Sequence, residues 1–424
     1  MSRGTLFIRD IVCQKGKGIP SFCSSNEYVL KAALEYARDN DEFVLIECTA
    51  NQVNQYGGYT GMSPTDFRDY VYSLAKKTGT NQEKIILGGD HLGPTVFKHM
   101  NEADAMREAE VLISEFVKAG FEKIHIDTSM RLASDAKDCA LTDDIIAKRG
   151  ARLCLAAERA FEATYKRASD LIYVVGSEVP VPGGTAADEK GIKVTSPEDF
   201  EKTFHAFENA FKEVNLGKAF ERVVAVVVQP GVEFGDESIH EYAQEAAIDL
   251  VEKLEAYPHI AFEGHSTDYQ TPGLLRAMVH DGIAILKVGP ELTFALREGL
   301  FALQFIIDEI TSDSDFTKVL DLTMQSKPEH WLKYYTGTNQ EIFIKRKYSY
   351  SDRWRYYANE PEIISAVHQL FSLFNHLNVP LPLVSQFLPE QYKRIRNGVL
   401  ELDAEEIVKD KVREIIDKYY LSSK

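Results

Sequence analysis

Lys84-Ile85-Ile86-Leu87-Gly88-Gly89-Asp90-His91 is a short apolar run that ends abruptly in two glycines, an acid and an imidazole. Two later runs end in the same manner, at Glu263-Gly264-His265-Ser266 and at Lys287-Val288-Gly289-Pro290. Outward from these, eight such runs are found: Ile19–Ser25, Phe43–Asn51, Lys84–His91, Lys123–Ser129, Leu171–Glu178, Val223–Pro230, His259–Ser266 and Ala284–Leu292. Most lack the alternation of a half-exposed strand. Val223 to Val228 is apolar at every position, as a strand buried on both faces of a parallel sheet requires. Eight strand–helix units with polar strand ends predict a (β/α)₈ TIM barrel over an open sheet, with the chemistry at the carboxyl ends of the strands.

The intervening segments carry helix punctuation. Pro64–Lys77 begins behind Ser63 as N-cap with a proline in its first turn, and Glu102–Ala119 stops at Gly120. Asp143–Ala168, Pro197–Val214 and Tyr242–Tyr257 read the same way, and Leu296–Ile310 reads as a closing helix. The expected division is a barrel over residues 1–310 and a helical, aromatic-rich extension over 311–424 packed on it. Ala404–Tyr420 reads as a charged amphipathic helix.

The chain has 424 residues, 44% hydrophobic and 27% charged, an ordinary globular composition. A formal charge of −17 argues against nucleic acid or an anionic membrane as partner, but not against a small anion held by a local cationic cluster. No apolar run reaches the length of a membrane span, and the N-terminus lacks a secretory pattern. Five cysteines without close pairing suit a reducing compartment, so a cytoplasmic protein is expected.

Asp90-His91 combines a ligand-type imidazole with a carboxylate able to act as general acid or base. The bland alternative is a histidine bound to a loop carbonyl. The glycines Gly88, Gly89 and Gly93 admit close backbone approach and favour function. His265, at the seventh strand end, faces the third across a barrel mouth, so His91 and His265 can share a metal. A third ligand is needed, from among Asp127, Glu178, Gln229 and Glu47. Alternation predicts that one of Glu263 and Ser266 points outward. Lys287, in an apolar strand, is either a cation paired with carboxylates or a Schiff-base nucleophile. After the second strand, Asn51, Gln52, Asn54 and Gln55 offer amides to a polyhydroxylated ligand. Gly183 and Gly184, after two prolines, can form an anion nest. Arg346, Lys347, Arg353 and Arg355 sit among aromatics; they read as a solvated helix face, the alternative being a group that closes over a phosphate.

Taken together, IECTANQVNQYGGYTGM (46–62), ILGGDHLGP (86–94), KIHIDTSM (123–130), EVPVPGG (178–184), VVQPGVEF (227–234), HSTDYQT (265–271), ILKVGPELTFALRE (285–298) and YSYSDRWRYY (348–357) resemble the non-catalytic, Z-type subunit family of class II D-tagatose-1,6-bisphosphate aldolases. The resemblance implies a TIM barrel and a place in the breakdown of galactitol, N-acetylgalactosamine or related ketose phosphates. It implies either a partner of a catalytic aldolase subunit or a metal-dependent 4-epimerase on tagatose 6-phosphate and fructose 6-phosphate. A fainter likeness to catalytic class II aldolases matches Asp90 to their proton donor, His91 and His265 to zinc histidines, and Glu178 to a glutamate. Gln229 stands where they have a further zinc histidine.

The resulting expectations are these. Asp90, Asp127 and Glu178 are the acid–base groups, and His91, His265 and Gln229 hold a divalent metal ion (Zn, Mn, Ni or Co). Glu47, Asn51, Gln52, Gly183, Gly184, Ser266, Asp268 and Lys287 bind a sugar-phosphate substrate. A catalytic tagatose-bisphosphate aldolase subunit is a candidate partner, and a homo-oligomer is expected. Polar groups at strand ends favour the epimerase over a pure scaffold, because each buried polar group left unsatisfied costs about 1–3 kcal/mol.

Overall fold

The computed structural model describes residues 2–136, 141–176, 192–311 and 313–424. Eight parallel strands close into a barrel: Ile19–Cys23, Val44–Thr49, Ile85–Leu92, Lys123–Ile126, Ile172–Val175, Val223–Val228, Ala261–Gly264 and Ile283–Val288. Each pairs with its neighbour in chain order, and the eighth closes on the first with Ile19 opposite Ile285. The TIM barrel expected from the sequence is therefore present. The eighth strand stops earlier than its apolar run, because Pro290 opens the helix Pro290–Asp308. A two-stranded ribbon, Glu233–Phe234 against Ile239–His240, follows the sixth strand and is not signalled by the sequence.

Helices Glu27–Asn40, Pro64–Thr78, Glu102–Lys118, Asp143–Tyr165, Pro197–Glu213, Gln244–Leu254 and Pro272–His280 connect the strands. Their starts are chemically specified. Ser63 and Asp66 form a reciprocal capping box, while Asn101, Thr142 and Ser196 accept from backbone N–H groups of the first turn. At the amino-terminal end of the barrel, helix Arg3–Val12 plugs the opening. Its Ile8 and Val12 join Ile19, Leu45, Ile86 and Ile172 in one apolar cluster. The lower interior is thus dry, and polar side chains collect towards the opposite end.

Beyond Asp308 come helices Phe316–Ser326, Asn339–Tyr348, Pro361–His376, Leu381–Phe387, Pro389–Arg396 and Ala404–Ser422. The last completes the outer layer: Tyr420 stacks on Tyr36 at 4.3 Å and donates to the Phe43 carbonyl, and Tyr419 donates to the Thr267 carbonyl. Between the helices, a turn at Arg353–Tyr356 is fastened over the barrel mouth. Asp352 accepts from Thr293 Oγ1 at 2.5 Å and Arg297 Nε at 3.0 Å, Trp354 Nε1 donates to the Thr293 carbonyl, and Ser351 Oγ donates to Asp236. No helix among the described residues is long and apolar enough to cross a membrane.

Candidate active site and metal-ligand cluster

The floor of the site is an ion network inside the barrel. Glu47 lies in register with Gly88, and Gly88 with Lys123, so one layer crosses three strands. Lys123 Nζ sits 2.7 Å from both Glu47 Oε1 and Glu263 Oε2, and all three side chains are fully buried. Lys287 Nζ lies 2.5 Å from Glu47 Oε2 and 2.6 Å from Asp90 Oδ1. Gly88 makes the layer possible, since a Cβ there would stand 2.7 Å from Glu47 Cγ. Burial disfavours the charged form of Lys287, but Asp90, Glu47 and Glu263 outweigh it and hold the ammonium well above its ordinary pKa. Lys287 is a paired cation, and a neutral amine for Schiff-base chemistry is not what this environment stabilises.

Above the floor three imidazoles converge. Ring centroids of His91 and His265 are 4.8 Å apart, of His91 and His125 4.9 Å, and of His125 and His265 5.3 Å. Asp90, His91, His125 and His265 each offer a ligand atom, all within 4.8 Å of one another, so the group could hold a metal ion. Each ring has one nitrogen engaged from behind. His91 Nδ1 lies 3.0 Å from Asp127 Oδ2, His125 Nε2 2.9 Å from the Gly176 carbonyl, and His265 Nε2 3.0 Å from Glu263 Oε1. Such outer partners fix ring orientation and tautomer around metals. The Gly176 carbonyl requires an N–H on His125 Nε2, which leaves Nδ1 only 2.9 Å from Asp90 Oδ1. At that distance the two acceptors call for a cation between them, which would have to compete with the His91 backbone N–H that Nδ1 accepts at 3.2 Å.

The charge balance points the same way. Four buried carboxylates, Glu47, Asp90, Asp127 and Glu263, face two ammonium groups, Lys123 and Lys287, leaving two negative charges over if the imidazoles are neutral. Burial, followed by the neighbouring cations, pushes His265 down to about 3, so it is neutral and ligand-competent at pH 7. Burial also lowers His91, but Asp90 and Asp127 outweigh it and raise its pKa. Burial raises Asp127, yet its hydrogen bond with His91 outweighs that and holds the carboxyl low. His91 and Ser266 both have positive φ, 48° and 51°, in the region that ordinary residues avoid. Such strain gathers at functional sites.

Asp90, His91, His265, Ser266, Asp268, Lys287, Asn51 and Gln52 line one cavity of about 510 Å³. Other expected residues lie outside it. Glu47 is beneath the floor, and Asp127 stands behind His91, also accepting from the Ser129 backbone N–H and Oγ. Gln229 is buried at the end of the sixth strand, where its Oε1 accepts from the Gly231 N–H and Nε2 has no partner among the described residues. Glu178, Gly183 and Gly184 lie outside the described residues. Asn54 serves its own loop, donating to the Ala50 carbonyl and accepting from Tyr56 and Gly58, while Gln55 binds Glu108.

Two sequence expectations need correction. Glu263 and Ser266 both face inward, because the left-handed turn at Ser266 breaks the strand alternation. The arginines do not form a solvated helix face. Arg346 is buried on Asp321 at 2.7 Å, and Arg353 and Arg355 line the cavity from the turn fastened above it. His125 and Lys123 were absent from the expected site. Their signal was the period-two series Lys123, His125, Asp127, which places all three on one strand face.

A family model described as D-tagatose-1,6-bisphosphate aldolase subunit GatZ/KbaZ-like matches residues 8–424. A solved structure described as a probable tagatose 6 phosphate kinase from Sinorhizobium meliloti 1021 is 42% identical, with a TM-score of 0.88 over 96% of this chain and 100% of that chain. The YdjI aldolase from Escherichia coli K12 matches at 12% identity and TM-score 0.42, over 88% of this chain and 97% of that one. Fructose-bisphosphate aldolase (Fba) from Campylobacter jejuni matches at 17% and 0.44, over 90% and 96%.

Proposed function

The chain belongs to the GatZ/KbaZ-like family of D-tagatose-1,6-bisphosphate aldolase subunits, and from that premise we propose that it is itself an enzyme, a metal-dependent ketose-phosphate 4-epimerase interconverting tagatose 6-phosphate and fructose 6-phosphate. The observation that supports this most is the trio His91, His125 and His265 beside Asp90, each ring held from behind by a carboxylate or carbonyl. A subunit that only supports another protein has no use for such a cluster, of which Asp90, His91 and His265 line the cavity and His125 is fully buried beside them.

The chemistry constrains the roles. The hydrogen on C4 of a 2-ketose is not adjacent to the carbonyl and is not acidic, so proton exchange at C4 is blocked. Cleaving C3–C4, presenting the other face of the aldehyde and re-forming the bond inverts C4. A divalent ion held by His91, His125 and His265 would supply Lewis-acid stabilisation of negative charge on the ketose oxygens. Asp90 takes the proton from the C4 hydroxyl on cleavage and returns it on bond formation. Its Oδ1 is committed to Lys287 and His125, leaving Oδ2 for the substrate. Against burial, His91 and then Lys287 hold the Asp90 carboxyl low, and Asp127 and Glu263 orient His91 and His265 as positioning residues. Asn51, Gln52, Ser266 and Asp268 face the same cavity and serve the sugar hydroxyls. Glu178, Gly183 and Gly184, outside the described residues, complete the proposed set.

The test uses the purified chain alone, loaded in turn with Zn²⁺, Mn²⁺, Ni²⁺ or Co²⁺ and supplied with fructose 6-phosphate. Tagatose 6-phosphate is expected to appear with at least one metal. The second reading, a non-catalytic subunit of an aldolase, draws on the description of the family model. It prevails if no metal gives turnover while the chain raises the activity of a tagatose-bisphosphate aldolase.

A further inference from the structure

The outer wall of the cavity differs in charge from its floor. Lys333, Arg353 and Arg355 line it, with Glu329 as the one carboxylate on that wall among the described residues. The protein carries 65 acidic against 48 basic residues, so three cations gathered on one wall run against its composition. Among the described residues, no carboxylate lies within ion-pair distance of Arg355 or Lys333; the nearby Asp352 is committed to Thr293 and Arg297.

The donors of Arg355 are only partly used. Nη1 donates to the Ser351 and Asp352 carbonyls and Nη2 to Tyr356 Oη at 3.0 Å. A guanidinium has five N–H groups, so Nε–H and one Nη2–H have no protein acceptor among the described residues. Arg353 is held apart from it by different contacts: its guanidinium carbon lies 3.3 Å from the Tyr334 ring centre, and Nη1 donates to the His330 carbonyl. Burial, then the charge of Arg355, lowers the pKa of Arg353, a sign of two like charges confined together. An anion between them relieves that repulsion and takes up the open donors of Arg355.

The cations are also rigidly placed. Tyr356 stacks on His330 at 4.8 Å and meets Tyr59, from the loop after the second strand, edge-on at 5.1 Å. The turn therefore joins the extension to the barrel loops, and its guanidinium groups share a cavity with His91 and His265.

We infer that Arg355 and Arg353, assisted by Lys333, form a subsite for the phosphate monoester of a sugar phosphate, so that the carboxy-terminal extension selects phosphorylated over free ketoses. This deepens the epimerase reading and rests on it for the sugar portion, but the anion site stands or falls by binding alone. Guanidinium forks suit phosphate because two N–H groups meet two oxygens in parallel.

The experiment is isothermal titration of the full chain without added metal and without turnover, using inorganic phosphate, fructose 6-phosphate, free fructose and a keto-hexuronate. Inorganic phosphate and fructose 6-phosphate are expected to bind, and fructose to bind at least about tenfold more weakly than its phosphate. Arg355→Gln should weaken both phosphate ligands about tenfold or more while leaving fructose binding, metal content and circular dichroism unchanged. Should Arg355→Gln fail to fold, Lys333→Gln, at an exposed position, is expected to weaken the same two ligands by a smaller factor. The inference is overturned if the wild type binds no phosphate, if both variants keep wild-type phosphate affinity, or if the hexuronate binds more tightly than the phosphate ester. A chain that binds phosphate through Arg355 but never epimerises would retain the subsite and lose the epimerase.

Discussion

Lys287 Nζ stands 2.6 Å from Asp90 Oδ1 and 2.5 Å from Glu47 Oε2, so one ammonium ties the barrel floor to the carboxylate at the mouth. Removing it leaves two buried carboxylates without that counter-charge. Lys287→Met should lower stability by about 3–5 kcal/mol, the cost of breaking a buried pair from one side. It should also slow epimerisation at least a hundredfold, because Asp90 then loses one of the groups, after His91, that hold its carboxyl low against burial. Borohydride added with substrate to the wild type should give no covalent adduct by mass. A trapped adduct at Lys287 would mean that the amine, not the pair, does the chemistry.

The third imidazole distinguishes two ligand sets. His125 lies with His91 and His265, whereas Gln229 Oε1 is taken by the Gly231 N–H. His125→Ala is expected to lose bound divalent metal as read by atomic emission, and Gln229→Ala to keep it. Asp127→Asn, which leaves the ligands in place but alters the partner of His91, should weaken metal affinity about 10–100-fold. Metal retained in His125→Ala and lost in Gln229→Ala would restore the amide as third ligand.

The barrel was legible because parallel strands buried on both faces write themselves as continuous apolar runs such as Val223–Val228, and eight such runs with polar ends favour a barrel over an open sheet. Asp90, His91 and His265 were legible because polar residues at strand ends stand out against such runs. His125 was not, since it lies inside Lys123–Ile126 and reads as strand; its role comes from the barrel's closure, which turns Lys123, His125 and Asp127 to the interior. Ser266 escaped a period-two argument because one positive φ turns its side chain back to the cavity. Arg353 and Arg355 escaped for a longer-range reason. Their place depends on Asp352 meeting Thr293 and Arg297, more than fifty residues earlier, which no local pattern encodes.

Lys123 tests the floor separately from the chemistry. It is fully buried between Glu47 and Glu263 and does not line the cavity. Lys123→Met should cost about 3–5 kcal/mol by denaturant unfolding, as it takes the closest counter-charge from Glu263 and one of two from Glu47, which keeps Lys287. The double variant Lys123→Met with Glu263→Gln is expected to recover part of that loss, because the carboxylate that lost its closest cation is gone. If the double variant is as unstable as the sum of the single variants, the two side chains are energetically independent and the network is only geometric.

Asp268 gives stability a pH dependence of its own. It is buried, its Oδ1 accepts from the Gly289 and Glu291 backbone N–H groups, and Glu291 lies close by. Burial first and the Glu291 charge second push its pKa up to about 7. An unfolded aspartate ionises near 3.9, so between those values the folded chain holds one proton more than the unfolded chain. Stability from this group is therefore complete below about pH 4, falls as pH rises through 7, and is level above it. Asp268→Asn keeps an acceptor oxygen for the two N–H groups and removes the titration. Unfolding free energies of the variant relative to the wild type should accordingly rise by roughly 3 kcal/mol between pH 5 and pH 8. Parallel curves over that range would show Asp268 to be ionised throughout, with the two N–H donors outweighing burial.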